Sequence, residues 1–319
     1  MKAIDYKQVI SVGCGIDVHK DVIVATVRSS SKDYETRQFT AYTSSLTELR
    51  DWCKEKGVTH VAMESTGVYW KPVFNILEES FAIILVNARH VKNVPGHKTD
   101  KKDSVWLSKL LLSGLLKASF IPTREIRELR DLMRYKKKKV QFVASETNRI
   151  IKVLEDCNIK LSSVVSDVKG VSASKIINAI IDGKDDVTDL LTHVHGRVKA
   201  PREEITQALT GRITPHHRFM LKMIRETIDE NEKLIQKLDE QIAIVTAKHQ
   251  VELELLQTID GVGKDTALAI ISEVGVDMDA FPNQHHLASW SGVSPGSNES
   301  AGKKKAPASS TETNTSNRH

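Results

Sequence analysis

Two stretches of this chain keep an apolar rhythm for longer than an ordinary surface helix does. Ile126, Leu129, Met133, Lys136, Val140, Val143, Thr147, Ile150, Leu154 and Cys157 follow one another at alternating spacings of three and four. Leu221, Ile224, Ile228, Asn231, Ile235, Leu238, Ile242 and Val245 do the same. A seam held over several heptads keeps one stripe turned toward a partner helix, which is the pattern of a coiled coil. The two helices could pair antiparallel within one chain, pair between chains, or both. Asn231 occupies a seam position, where a polar residue fixes register at a cost in stability. The segment between the seams, 161–212, contains GVSASKIINAIIDG and reads as a small helical insert.

Ahead of the first seam the period changes. VGCGID (12–17) and DVIVATV (21–27) are short, β-branched runs of strand length, ETRQFTAY (35–42) is a third strand candidate, and THVAME (59–64) and FAIILV (81–86) are buried-strand candidates. SLTELRDWCKEK (45–56) has helical spacing, and further helices are expected from about Tyr69 to Glu79 and from about Lys101 to Leu116. Residues 1–119 therefore read as an α/β domain, a mixed sheet flanked by helices. Residues 120–255 form the seam region with its insert, and 256–305 a compact helical module. From Gly302 onward GKKKAPASSTETNTSNRH has no large apolar side chain, so disorder is expected there, above all over 306–319. No apolar run approaches the ~18 residues of a membrane helix. The N-terminal MKAIDYKQVIS is unlike a secretory signal. Cys14, Cys53 and Cys157 form no C-x-x-C pair. A cytoplasmic protein without disulfides is the expectation.

The formal charge is only +5, but it is unevenly placed. Residues 1–160 hold 28 Lys/Arg against 19 Asp/Glu, whereas residues 161–319 hold 18 against 22. The excess is densest at the start of the first seam, in Arg124, Arg127, Arg130, Arg134, Lys136, Lys137, Lys138 and Lys139. Such a run is ordinarily a solvated helix face. Here Lys136 falls on the seam itself and four consecutive lysines put charge all round the helix, which favours an anionic partner such as a nucleic-acid backbone.

Four acids are candidates for chemistry. Asp17 and Glu64 end expected strands, and Asp100 and Asp103 open an expected helix at i,i+3. Each alone would be read as a cap or a solvated charge. Brought together at one sheet edge they could not all ionise without a cation, and hard oxygen ligands suit Mg²⁺ or Mn²⁺.

The residues around these acids carry a resemblance. GIDVHK (15–20), MESTGVYW (63–70) and HKTDKKDSVWLSKLL (97–111) together resemble the DEDD transposases of the insertion-sequence 110 family, relatives of the Piv DNA invertase. The resemblance runs over nearly all of 11–305. It implies an RNase H-like, RuvC-like first domain in which Asp17, Glu64, Asp100 and Asp103 hold Mg²⁺ or Mn²⁺. HHLASWSGVSPGSNESAGKKK (285–305) resembles the family's signature around a serine nucleophile, at Ser300 here, with Lys303, Lys304 and Lys305 beside it to steady the DNA backbone. The partners it implies are donor and target DNA and a structured guide RNA, bound by a homodimer or tetramer and nucleoid-associated. The chain departs from the family after GKKK, where a further basic helical segment would follow, and this leads us to expect a truncated or frameshifted end.

Independently of that resemblance, TIDGVGKDTALAIISEVG (258–275) reads as a helix-hairpin-helix. Gly261 and Gly263 allow close backbone approach, and Lys264 opens the second helix, whose N–H groups suit a phosphate. A plain helical hairpin with a tight glycine turn is the competing reading. At the level of activity, two alternatives to a recombinase stay open. One is a metal-dependent junction resolvase using water as nucleophile. The other is an inactive transposase that only binds nucleic acid.

Overall fold

The β-branched runs of the first compact unit, Met1–Ile121, pair into a five-stranded mixed sheet in the computed structural model. Residues 8–65, 67–87, 103–196, 198–293, 299–300 and 303–304 are described. The strands are β1 (Gly13–Val18), β2 (Val22–Arg28), β3 (Tyr34–Thr40), β4 (His60–Glu64) and β5 (Ala82–Val86), in the order β3-β2-β1-β4-β5. Short turns join the first three, so they are antiparallel. The last two pairings are parallel, reached through α1 (Thr43–Glu55) and α2 (Trp70–Leu77). Leu46, Leu49, Trp52 and Cys53 of α1 are buried in one cluster with Cys14 and Ile16 of β1.

On β1, Gly13, Gly15 and Asp17 alternate with Cys14 and Ile16 and so point to the opposite face. That face receives α3 (Asp103–Leu112). The approach is close: a Cβ on Gly15 would lie 2.3 Å from both the Ser104 carbonyl oxygen and the Ser108 amide nitrogen. Small polar groups line the contact. Thr26 and Ser104 hydroxyls are 2.9 Å apart, and the buried Arg28 donates from Nε to Ser108 Oγ at 3.0 Å. The helix ends at Leu112 and not at the expected Leu116. The amides of Gly114 and Leu115 turn back to the carbonyls of Leu111 and Leu110, a reversal that closes a helix.

The second unit, Pro122–His319, is built on two long helices, α4 (Arg124–Asp156) and, after the insert, α9 (Pro215–Thr246). They pack antiparallel, as their side-chain contacts record: Asp156 meets His217, Lys136 meets Asp239, and Glu125 meets Lys248 just past the end of α9. Most seam residues are buried at both ends of the pair, including Ile126, Leu129, Ile150 and Leu154 on α4 and Leu221, Ile224, Ile228 and Ile242 on α9. The middle is looser, with Val140 exposed and Lys136 in place of an apolar side chain. Asn231 is buried but donates to the Thr227 carbonyl of its own helix at 2.8 Å, so this bond does not fix register across the pair.

The insert consists of α5 (Leu161–Val164), α6 (Val171–Ile181), α7 (Val187–Leu191) and α8 (Arg202–Leu209). It shares a core with one end of the long pair through Ile176, Ile177, Ile180, Leu221 and Ile224. At the other end, α10 (Gln250–Gln257) and α11 (Lys264–Val274) bury Leu253, Leu268 and Ile271 against Ile126, Leu129 and Ile242. A further helix, α12 (Gln284–Trp290), precedes the two-residue strands β6 (Glu299–Ser300) and β7 (Lys303–Lys304). These pair antiparallel, so regular structure extends past Gly302, where disorder was expected to begin. Backbone pairing of this kind needs no apolar side chain. Residues 305–319 lie outside the described residues. Among the described residues no helix is long and apolar enough to cross a membrane.

Candidate functional site

Parallel pairing puts two of the four acids side by side. Ile16 of β1 is in register with Met63 of β4, and Asp17 and Glu64 are the next residue on each strand, at its carboxyl end. Asp103 reaches the same edge because it is the first residue of α3, one position before the Ser104 that rests on Gly15. Its Oδ1 is sealed from solvent.

The electrostatics agree with this convergence. Burial pushes the Asp17 carboxyl above the usual carboxylate range; His19 pulls it down, and the like charges of Asp103 and Glu64 push it further up. His19 Nε2 lies 3.2 Å from Asp17 Oδ2. A divalent cation bound by oxygen ligands would relieve this like-charge crowding. Among the described residues, no three His, Cys, Asp or Glu side chains come close enough together to hold a metal ion by themselves. Asp100 lies outside the described residues.

The expected nucleic-acid contacts on α4 divide into two groups. Arg130 is half-buried, donating to the carbonyls of Ser272 (3.1 Å) and Glu273 (2.6 Å), and its pKa is lowered chiefly by that burial. Arg134 makes a two-pronged contact with the Glu273 carboxylate, 2.9 Å on each prong. Lys136 lies between Asp239 at 2.6 Å and Asp265 at 3.1 Å. Burial alone would lower its pKa, but the two carboxylates outweigh that and raise it. This corrects the premise that only an external anion could neutralise a seam lysine, since the fold supplies two. Arg127 donates to the Pro122 carbonyl, and Arg124 sits 3.7 Å from Glu128. By contrast Lys137 and Lys138 are exposed, and Lys139 lies over the Tyr135 ring at 5.3 Å.

In the C-terminal module, Gly261, Gly263 and Lys264 form an open, solvent-facing turn between α10 and α11. Gly261 has φ 84°, which favours glycine, and a Cβ on either glycine would meet nothing within 4 Å. Neither glycine is needed for close packing inside the protein. The Ser300 backbone pairs with Lys303 across the β6–β7 bridge. Lys304 faces Glu299 in the same register, and Lys305 lies outside the described residues.

Several participants were not legible as such. His19 follows Asp17 at a spacing of two but carried no assigned role. Ser104 and Ser108, four apart and both buried on a helix rich in Leu, were the visible signal of a close helix–sheet contact. Asp239, Asp265 and Glu273 are far in sequence from the cations they hold, so only the fold pairs them.

Two family comparisons bear on this arrangement. Residues 14–159, which contain the acidic edge and all of α4, match a DEDD transposase model. Residues 253–317, which contain the open turn and Ser300, match the model described as the transposase IS116/IS110/IS902 family, and the match continues through residues 306–317, where a departure from the family was expected. The chain belongs to the IS110 family of transposases. DNA transposition or recombination is the class of activity that this family defines, and it entails DNA binding. No curated protein matches the chain.

Proposed function

We propose that the chain is an RNA-guided DNA recombinase of an insertion sequence, with an RNase H-like catalytic domain and a serine nucleophile. The observation carrying this reading is the acidic edge: Asp17 and Glu64 follow the paired Ile16 and Met63 on parallel strands, and Asp103 opens the helix packed on β1. The strand order β3-β2-β1-β4-β5, antiparallel then parallel, supports the RNase H-like assignment.

Asp17, Glu64, Asp100 and Asp103 would hold Mg²⁺ or Mn²⁺, which supplies charge stabilisation at a scissile phosphate. His19 hydrogen-bonds Asp17 and keeps its carboxylate oriented. Ser300 Oγ attacks phosphorus, forming a phosphoserine bond as the P–O bond to the deoxyribose breaks; the departing oxygen takes up a proton as a free hydroxyl. Attack by the hydroxyl of an incoming strand reverses the step and frees the serine. The phosphodiester energy is conserved, so religation needs no nucleotide triphosphate. Lys303, Lys304 and Lys305 steady the DNA backbone, while Gly261, Gly263 and Lys264 offer N–H groups and one cation to a phosphate. Lys137, Lys138 and Lys139 face the RNA or DNA. The long helices would act as a coiled-coil spacer in a homodimer or tetramer associated with the nucleoid.

Incubating the chain with element-end DNA, target DNA, the element's RNA and Mg²⁺ tests the reading. A denaturant-stable protein–DNA adduct that disappears in Ser300→Ala is the expected result. Cleavage with free ends and full activity in Ser300→Ala would establish a water-using nuclease instead. Salt-sensitive binding without cleavage under any divalent metal would leave a nucleic-acid-binding protein only.

A further inference from the structure

The face of α4 turned away from its seam carries two exposed aromatic rings among cations. Tyr135, Lys138, Phe142, Arg149 and Lys152 recur at helical spacing and are all solvent-exposed. Tyr135 and Phe142 keep 49% and 43% of their surface in water, so both rings present a flat apolar face on the exposed side of α4. No acidic residue occurs between 132 and 145. The next one, Glu146, is buried and its carboxylate lies 3.5 Å from the exposed Arg149. Lys139 sits over the Tyr135 ring without covering it from solvent.

An apolar partner helix would suit the rings, but Lys137 and Lys138 are exposed beside them and acids occur on this stripe only outside 132–145, as at Asp131 and Asp156, so the stretch around the rings favours a polyanion. A polyanion with flat apolar faces of its own is a nucleic acid with unpaired bases. Duplex phosphates satisfy lysines and leave rings bare, whereas a single strand offers phosphates and base faces together. The rings are seven residues apart on one helix face, about 10 Å, or roughly three base steps at ~3.4 Å each. They can engage separate bases of one strand while Lys138 between them meets the backbone.

We propose that this face of α4 is a stacking site for unpaired nucleobases, with Tyr135 and Phe142 as the platforms and Lys138, Arg149 and Lys152 as phosphate contacts. It rests on the reading of α4 as a nucleic-acid contact and specifies the strandedness of the ligand.

Fluorescence anisotropy of the full chain with labelled oligouridine, oligothymidine and a duplex tests it, the first two distinguishing RNA from DNA as the preferred strand. Phe142→Ala should weaken single-strand binding about 5- to 100-fold, leaving duplex affinity and the salt slope unchanged. Phe142→Trp should restore binding and add an indole emission that the single strand quenches. Lys138→Ala should make the single-strand salt slope shallower by about 0.7. If Phe142→Ala leaves single-strand affinity intact while Lys137→Ala with Lys138→Ala lowers it, stacking is wrong and α4 is a plain electrostatic strip. If neither change alters binding, the nucleic-acid reading of α4 fails as well. If Phe142→Ala lowers the mass seen by light scattering with affinity unchanged, a second copy of the chain covers the rings and the proposal is overturned.

Discussion

Asp17 and Lys136 are both partly buried charged residues on regular elements, yet their surroundings have opposite signs. Asp17 is set beside Asp103 and Glu64, with only the exposed His19 among the named influences opposing them. Lys136 is set between two carboxylates at hydrogen-bonding distance. In the helical unit the fold has neutralised its own charge, which is how a stable scaffold treats a polar seam position. In the sheet unit it has assembled like charges at a strand edge, an arrangement that disfavours the isolated folded protein and suits a cation. Under the proposed function, the difference separates residues that hold the molecule together from residues kept for chemistry.

The sharpest way to break this comparison is Asp17→Asn. Strand cleavage should fall on the order of 10²–10³-fold or more, while the melting temperature holds or rises because a like-charge contact is gone. A variant with lost stability and intact cleavage would make Asp17 structural. Gly15→Ala comes next. Its Cβ would press on backbone atoms of α3, so a loss of about 1–3 kcal/mol in urea unfolding is expected, with reduced cleavage because Asp103 moves with that helix.

Lys136→Met leaves Asp239 and Asp265 without their shared cation and should cost about 1 kcal/mol, with no loss of Asp17-dependent chemistry. Asp265→Asn removes only the longer contact to a largely exposed carboxylate, and a few tenths of a kcal/mol is the expected change. The smallest effect is in pH. Asp17 has a raised folded-state pKa, so its contribution to stability is complete below the unfolded value near 3.8 and is lost as pH rises through the folded value. Asp103→Asn removes one of the upward pushes, and carboxyl NMR titration should show the Asp17 midpoint move down.

Much of the architecture was legible because periodicity is local. All five strands of the mixed sheet were expected within one or two residues of where they lie, since strand-length runs bounded by turns state their own limits, whereas β6 and β7 were not expected. The two seams became two long helices whose buried residues are largely those spaced three and four. Helix ends and charge pairing were less legible. Leu112 ends α3 through amides that return to earlier carbonyls, a three-dimensional closure. Arg130, Arg134 and Lys136 read as a basic stripe for a polyanion, whereas their partners lie more than a hundred residues further along. At the acidic edge, the local sequence indicated Asp17, Glu64 and Asp103 as strand-end or helix-start residues, and the parallel register of β1 with β4 accounts for two of them being neighbours.

From the order of its side chains alone this chain determined which segments are strands and which are helices, where the seams run and which acids stand at element ends, because those properties depend on neighbours a few residues away. Tertiary structure alone decided which charges meet. Gly15 admits the backbone of α3 and thereby brings Asp103 to the strand edge, and antiparallel packing of α4 and α9 places Asp239 against Lys136. Coulombic pairing depends on distance in space, and segments far apart in the chain acquire that distance only when the cores close.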